Sequence, residues 1–126
     1  MRETHEARYC EVADLADAKP QLDEIRHYIH QHPELTYEEA LTARLVADKL
    51  EAWGYAVTRR VGGHGVVASL SSGSSARTLG IRADMDALPI RELTGLPYAS
   101  VHDGKMHACG HDGHTTVLLG AAQHLA

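Results

Sequence analysis

The spacing of the apolar residues changes once along this chain, and that change limits the folds open to it. Up to residue 53 the apolar residues recur every three or four positions, which is the period of a helix that buries one face. From residue 56 to residue 83 they form short runs separated by glycine- and serine-rich stretches, which is typical of strands joined by turns. The order predicts one α/β domain, with helices packed on a mixed sheet.

The first predicted helix has its apolar stripe between Leu15 and Ile29 and reaches His32. Pro20 is either a residue of its first turn or the site of a kink within it. Pro33 ends the helix, because the residue before a proline is biased away from helical geometry.

Thr36 followed by Glu39 reads as a capping box, which predicts that a second helix begins there. Gly54 is placed to terminate that helix. The adjacent acids Glu38 and Glu39 are then helix N-terminal acids, favoured by the helix dipole. A third helix is expected from Thr115 to Ala126, where apolar residues return to helical spacing.

Three runs are expected to be strands, at 56–61, 66–70 and 78–83. The last of them leads directly into Asp84 and Asp86, so a buried strand would deliver two carboxylates at its carboxyl end. Open α/β sheets bind ligands at that edge. Because side chains alternate along a strand, the two carboxylates would share a face, and one or both could orient a metal-ligating imidazole.

The densest group of chemically active residues is the nine-residue segment 106–114, which holds three histidines, one cysteine and one aspartate. Thiolate and imidazole are ligands that zinc and similar divalent metals prefer. Cys109 and His111 are the predicted metal ligands, because two residues that lie two positions apart in a loop can both point at one ion. Glycines in the segment allow the close approach.

Three other interpretations of this segment stay open on the sequence alone. It could be a solvated, histidine-rich loop, or Cys109 could be a nucleophile with His107 or His111 as its base. It could also belong to a stand-alone binding module that uses Cys109, His111 and a neighbouring histidine to hold a metal or a partner, without catalysis.

Composition restricts the partners. The formal net charge is −5 and the basic residues form no stripe, which argues against binding to nucleic acid or to an anionic membrane. No run approaches the about 20 apolar residues that span a bilayer. Cys10 and Cys109 are too few and too isolated for a disulfide framework, so a reducing cytoplasm is the expected compartment.

Four blocks of the sequence, in this order and spacing, resemble those of the metal-dependent amidohydrolases that include hippurate hydrolase and the indole-acetyl-amino-acid hydrolases. The blocks are Arg26-x3-His30-x-His32-Pro33-Glu34-Leu35-x3-Glu39, Gly65-Val66-Val67-Ala68, Arg82-Ala83-Asp84-Met85-Asp86-Ala87-Leu88-Pro89-Ile90 and Met106-His107-Ala108-Cys109-Gly110-His111-Asp112-Gly113-His114. The last two are highly specific. The resemblance extends over about residues 20 to 126.

The resemblance implies an enzyme that cleaves the amide of a small N-acyl amino acid at a site for two divalent ions, which could be zinc, manganese, cobalt or nickel. It implies that Cys109 and His111 bind metal and that the catalytic residue Asp86 orients the site. Asp84 occupies the position at which related peptidase families carry a ligand histidine, and His107, Asp112 and His114 support the motif without being assigned as ligands.

The resemblance also implies that parts of the site lie elsewhere. The family's remaining ligands and its glutamate pair, one of them the general base, follow the cysteine block. Residues 1–126 are therefore expected to be a partial, metal-binding catalytic domain of the zinc-peptidase type, truncated before the inserted dimerisation domain and the rest of the catalytic domain. Such a chain should be inactive alone and should self-associate through exposed apolar surface.

Overall fold

Three α-helices pack on a two-stranded antiparallel sheet in the computed structural model, which describes residues 12–126. A 3₁₀ helix at Val12–Ala18 leads into α1, and the remaining elements follow in the order α1 (Lys19–Gln31), α2 (Ala40–Ala52), β1 (Ala56–Val61), β2 (Gly65–Ser69) and α3 (His111–Leu125). No helix in the described range is long and apolar enough to cross a membrane. Cys10 lies outside the described residues.

The core lies where the three helices meet. Ile25 and Ile29 of α1 are buried, as are Leu50 of α2 and Leu119 of α3. The residues from α1 and α2 belong to the helical stripes expected from the sequence, and each fully buried aliphatic side chain contributes about 1.5–3 kcal/mol. The core therefore fixes α3 against α1 and α2, and with it the segment that carries Cys109 and His111.

Helix α1 confirms the first interpretation of Pro20. The proline lies in the first turn of α1, where its missing N–H has no helical partner to lose. The 3₁₀ helix before it accounts for the apolar residues upstream. Helix α1 ends at Gln31 with His32 as its C-cap, directly before Pro33, as the sequence predicts.

The predicted capping box at the start of α2 is wrong. Helix α2 begins at Ala40, its N-cap Glu39 makes no side-chain cap, and the Thr36 hydroxyl points to another partner. Glu34 takes over the role from outside the helix, since its two carboxylate oxygens accept the main-chain N–H groups of Leu41 and Thr42 at 2.9 and 2.7 Å. A charged acceptor at a helix N-terminus satisfies free donors and complements the dipole.

The other end of α2 is as predicted. Helix α2 ends at Ala52, and Gly54 follows in the left-handed conformation with φ +89°. Strands β1 and β2 then pair antiparallel from Ala56 opposite Ser69 to Val61 opposite Gly65, with a register shift between Arg59 and Val61. The first two predicted strands are thus confirmed to within one residue at each end.

The third predicted strand, at 78–83, is absent from the part of the chain that the structure describes. No strand lies beside this segment, and Leu79 and Ile81 are 76% and 49% exposed rather than buried. An extended segment becomes a strand only when a neighbour pairs with its main chain. The parallel component of the expected mixed sheet is reduced to an isolated bridge between Leu35 and Ala87.

A loop joins this extended segment to α3. Leu88 and Met106 exchange two main-chain hydrogen bonds of 2.9 and 3.0 Å, which close the loop formed by residues 89–105. Helix α3 begins at His111, four residues earlier than expected from apolar spacing. Its first turn is polar, so the apolar pattern does not reveal it. Consequently His111 lies in a helix and not in a loop.

Candidate metal centre

Asp86 and His111 form the central contact of the candidate site. The Nδ1 atom of His111 lies 2.9 Å from Oδ1 of Asp86 and 2.9 Å from the main-chain oxygen of the same residue. A carbonyl oxygen can only accept, so Nδ1 must carry the proton. In the neutral ring the lone pair is then on Nε2, which is the nitrogen left for a metal.

The second carboxylate oxygen of Asp86 is held by Thr36, whose hydroxyl donates to Oδ2 at 2.6 Å. This hydrogen bond is the main cause that lowers the pKa of Asp86; burial opposes it, and the contact with His111 adds to it. The carboxylate therefore stays ionised. An ionised acceptor on Nδ1 fixes the tautomer of His111 and makes Nε2 a stronger donor to a cation.

A tight turn formed by residues 35–38 positions Thr36. The N–H of Glu38 donates to the carbonyl of Leu35 at 2.8 Å, and Tyr37 inside the turn has φ +68°. A left-handed conformation is uncommon for an aromatic residue and costs about 1–3 kcal/mol. The turn is joined to the Asp86 segment by the bridge between Leu35 and Ala87.

Cys109 is exposed, and it is separated from His111 by one glycine. Gly110 has φ +88° and is the N-cap of α3, so the chain turns sharply between the two predicted ligands. Glycine adopts that conformation without strain. The backbone at Gly110 thus sets the direction of the Cys109 side chain relative to the first turn of α3.

Asp84 does not share the position of Asp86. Its carboxylate is half exposed and pairs with the exposed side chain of Arg82 at 2.9 Å. Its main-chain oxygen accepts the hydroxyl of Thr115 at 3.0 Å, which ties the segment to α3. Of the two carboxylates expected to orient a metal-ligating imidazole, Asp86 contacts His111, whereas Asp84 pairs with Arg82.

The donors present fit part of a metal site. Cys109 and His111 offer the sulfur and nitrogen that zinc-like cations prefer, and His111 already has the tautomer that binding requires. Among residues 12–126, however, no three histidine, cysteine, aspartate or glutamate side chains lie close enough to hold an ion.

A second polar cluster adjoins the candidate centre, since its member Asp112 follows His111 in the first turn of α3. His30 contacts Asp112 and Glu92 through its two ring nitrogens, at 2.8 and 3.1 Å, and all three side chains are buried. Arg26 joins the cluster 3.5 Å from Asp112 and 3.1 Å from the hydroxyl of Tyr98. This cluster brings together α1, α3 and the loop 89–105.

The other two histidines of the segment differ in environment. His107 is 4% exposed, and neither ring nitrogen has a hydrogen-bond partner among the residues that the structure describes. Burial lowers the pKa of the ring, which favours its neutral form. His114 is exposed one turn into α3, with its ring centroid 5.7 Å from that of His111. The hydrogen bonds of the described residues include none between Cys109 and a histidine, which gives no support to a cysteine nucleophile.

A cleft of about 1240 Å³ runs between the β1–β2 hairpin, the extended segment 70–86 and α3. Asp86 and Thr36 lie on its wall, but Cys109 and His111 do not. Its apolar wall includes the exposed residues Leu79 and Ile81. The cleft is therefore the uncovered side of the extended segment rather than a pocket built around the candidate ligands.

Sequence reasoning did not identify the partners that hold the site. Thr36 was assigned to a helix cap, and Glu92 lies in a loop without periodicity, so no local pattern points to either. The only signal for Arg26 and His30 is that they belong to the first of the four resembling blocks. Contacts such as that between His30 and Glu92, 62 positions apart, depend on the tertiary fold.

Comparison with known proteins agrees with these features. Residues 80–126, which include Asp86, Cys109 and His111, match the family described as Peptidase family M20/M25/M40. Over 115 residues the chain is 51% identical to hippurate hydrolase of Campylobacter jejuni, covering 91% of this chain and 30% of that protein. It is 46% identical over 98 residues to N-acyl-L-amino acid amidohydrolase of Geobacillus stearothermophilus, covering 78% of this chain and 26% of the relative.

A solved structure has the same fold. The crystal structure of a dinuclear metal-binding peptidase of the M20 family from Bacillus subtilis superimposes with a TM-score of 0.81 at 37% identity, covering 91% of this chain and 32% of that one. The extended segment and the helix that begins at His111 thus belong to a fold that recurs in a longer protein. The chain spans about 30% of the length of the relatives that it matches.

Proposed function

This chain is related to the M20 peptidase family by sequence and by fold, and from that relationship we propose that it forms the metal-binding part of a hydrolase for N-acyl amino acids. The contact between Asp86 and His111 carries the proposal. It places a proton on Nδ1 of His111, so that in the neutral ring the lone pair lies on Nε2, the nitrogen that can bind a divalent cation.

Cys109 and His111 are the proposed ligands on this chain. A site for two divalent ions is supported by the dinuclear relative, and zinc, manganese, cobalt and nickel all accept such mixed donors. The bound metal would supply polarisation of the amide carbonyl and a water with a pKa of about 7. Cys109 must lose its proton to bind, whereas His111 already presents a lone pair.

Asp86 is the proposed orienting carboxylate of the catalytic site. It holds the Nδ1 proton of His111 with one oxygen and is itself held by the hydroxyl of Thr36. Its charge keeps the imidazole in one tautomer throughout the reaction cycle, so that Nε2 does not have to reorient between turnovers. Asp84, paired with Arg82, is not assigned a role in the chemistry.

The remaining ligands and the general base are proposed to lie outside this chain. Residues 1–126 would then form a partial catalytic domain, to which the rest of the catalytic domain and an inserted dimerisation domain are added in the longer protein. This proposal is supported by the two-donor site and by the limited share of the relatives that the chain spans. The chain by itself should therefore not turn over substrate.

The proposed substrates are small N-acyl amino acids of the hippurate type. Support comes from the relatives, which carry the names hippurate hydrolase and N-acyl-L-amino acid amidohydrolase. The test is release of glycine from hippurate in the presence of manganese or zinc. The 126-residue chain should release none, whereas the longer protein should be active and should lose activity to a chelator. Turnover by the 126-residue chain alone would contradict the proposal that the remaining ligands and the general base lie outside this chain.

Metal binding by the chain is tested separately. In a Cys10→Ser background the only thiol is that of Cys109, so zinc should slow its alkylation by iodoacetamide. His111→Ala should remove that protection, while His114→Ala, one turn further along α3, should retain most of it. Equal alkylation rates with and without zinc would contradict the assignment of Cys109.

Self-association is proposed for the isolated chain. Large apolar side chains are uncovered at several points, including Leu79 at 76%, Leu93 at 85% and Val117 at 71% exposure. Exposed apolar surface of this kind promotes association. Sedimentation velocity should show oligomers whose fraction rises with concentration, and a monomer at all concentrations would contradict the proposal.

The proposed compartment is the cytoplasm, because a reducing environment suits a free Cys109 thiol. Cell fractionation would test this proposal.

A further inference from the structure

Four ionisable side chains meet where α1, the first turn of α3 and the loop 89–105 come together. Arg26 and His30 belong to α1, Asp112 to α3 and Glu92 to the loop. The side chains of His30, Asp112 and Glu92 are 8%, 5% and 3% exposed. Charged groups buried to this extent are tolerated only when each has a partner, so the cluster needs all of its members.

His30 connects the two carboxylates. Its Nδ1 atom lies 2.8 Å from Oδ2 of Asp112, and its Nε2 atom lies 3.1 Å from Oε1 of Glu92. An ionised carboxylate only accepts hydrogen bonds, so the ring donates from both nitrogens and carries a positive charge. With Arg26 it balances the two negative charges. His30 is thus a rigid, two-ended donor between the loop and α3.

Asp112 follows His111 directly, and both residues lie in the first turn of α3. That turn has no side-chain cap at Gly110, so its orientation depends on tertiary contacts. Asp112 supplies one of them through His30, and its main-chain oxygen accepts the hydroxyl of Thr116 at 2.7 Å. A rotation of the turn that broke the contact with His30 would also move His111 relative to Asp86.

We propose that His30 is a positioning residue: by holding Asp112 it fixes the first turn of α3 and thereby the ring of His111 against Asp86. The inference rests on the proposed metal-binding role of His111. His30 touches neither the predicted ligands nor Asp86, and it acts through Asp112 alone. Glu92 completes the arrangement, because it holds the opposite nitrogen of the His30 ring in place.

The test compares His30→Gln with His27→Gln in the metal-free chain. His27 is a matched control, since it also lies on α1 and its ring stacks on Tyr98 with centroids 3.7 Å apart. The readout is the protonated nitrogen of His111 in long-range ¹H–¹⁵N spectra at mildly alkaline pH. Wild type and His27→Gln should show a proton on Nδ1 only. His30→Gln should show His111 exchanging between the Nδ1–H and Nε2–H forms.

His30→Gln leaves two buried carboxylates with a weaker partner, so it could unfold the chain. The double variant His30→Gln/Glu92→Gln removes one of those charges and keeps a comparable volume. It should fold and still show the mixed tautomers of His111. A folded single or double variant in which His111 keeps the proton on Nδ1 alone would overturn the proposal.

Zinc titration separates this proposal from the proposed function. If zinc shifts the His111 signals of the wild type, its affinity in the folded His30→Gln or double variant should be about 10-fold lower, which is the effect usual for residues that orient a ligand. If zinc shifts nothing in the wild type, the metal-binding proposal fails. The tautomer comparison would still decide whether His30 positions the ring.

Discussion

The carboxylate of Asp86 and the imidazole of His111 are 25 positions apart in the chain and meet at 2.9 Å. The contact joins an extended segment to the first residue of a helix, and it leaves one nitrogen of the ring for a cation. Neither residue could be assigned this geometry from its local sequence.

Removing the carboxylate should weaken metal binding without unfolding the chain. In Asp86→Ala the Nδ1 proton of His111 keeps only the main-chain oxygen as partner, so we expect zinc affinity to fall about 10- to 100-fold. Asp84→Ala is the control, because that side chain pairs with exposed Arg82 and should leave the affinity unchanged. A competition titration with a chromogenic chelator measures both, and equal losses in the two variants would contradict the assigned difference.

Two glycines near the site should respond in opposite ways to alanine. Gly110 has φ +88°, so Gly110→Ala should destabilise the fold by about 1–2 kcal/mol and lower zinc affinity as well. A Cβ there would meet nothing closer than Nε2 of His114 at 4.0 Å, so the cost is conformational. Gly113 is helical with open space around it, and Gly113→Ala should stabilise by about 0.5–1 kcal/mol. Thermal unfolding measures both changes: the melting temperature should fall for Gly110→Ala and rise for Gly113→Ala.

Glu34 is expected to contribute more to stability than its position in a turn implies. Glu34→Ala removes the acceptor for the N–H groups of Leu41 and Thr42, and we expect a loss of about 1–3 kcal/mol in urea unfolding. Glu38→Ala should change stability by less than about 0.5 kcal/mol, since its carboxylate pairs with Lys105 at the surface, 3.5 Å away. A similar loss for both variants would mean that Glu34 does not cap α2.

The buried ring of His107 should lower the stability of the fold. Both of its nitrogens lack hydrogen-bond partners within residues 12–126, and an unsatisfied buried polar group costs about 1–3 kcal/mol. His107→Leu has a similar volume and should raise the melting temperature. Leu118→Ala, which shortens a partly buried side chain of α3, is the contrasting variant and should lower it. A lower melting temperature for His107→Leu would show that the ring nitrogens are bonded, for example to buried water.

Acid should destabilise the chain through Glu92. Burial opposes ionisation, but hydrogen bonds from Thr94, from the main-chain N–H of Ser100 and from His30 outweigh it, so the folded-state pKa lies below the ordinary 4.5. The stabilisation is therefore complete above pH 4.5 and is lost as the pH falls through the lowered pKa. Glu92→Gln should lose stability at neutral pH and show a flatter decline in acid. Urea titrations across that range measure the slopes, and parallel curves would contradict this linkage.

The sequence was sufficient for elements whose signal is local. Helix α1, the end of α2 at Gly54 and both strands follow from apolar spacing and glycine, because these features act within a few residues. The start of α3 was missed because its first turn is polar. The strand expected at 78–83 is absent for a different reason, since no neighbouring segment pairs with it in the described residues.

Only some residues of the candidate site could be predicted from the sequence. Cys109 and His111 follow from ligand chemistry, and Asp86 from the resemblance to a known family. The contacts around these residues do not, because Thr36 meets Asp86 across 50 positions, and His30 meets Glu92 and Asp112 across 62 and 82 positions. Such contacts depend on how α1, the turn at 35–38 and the loop 89–105 pack together. Local propensity does not encode that packing.

Main-chain hydrogen bonds close the loop 89–105 at its two ends, so the loop could be cleaved by a protease while its ends stay paired. Residues 93–97 at its tip are exposed, whereas Glu92 and Tyr98 are held against α1 on either side of that tip. A protease that cleaves near Gly95 would thus produce two polypeptides, one with Asp86 and the other with His111. The core shared by α1, α2 and α3, together with the hydrogen bonds between Leu88 and Met106, would keep these pieces together as a nicked complex, so cleavage would be visible in denaturing gels but not by size exclusion.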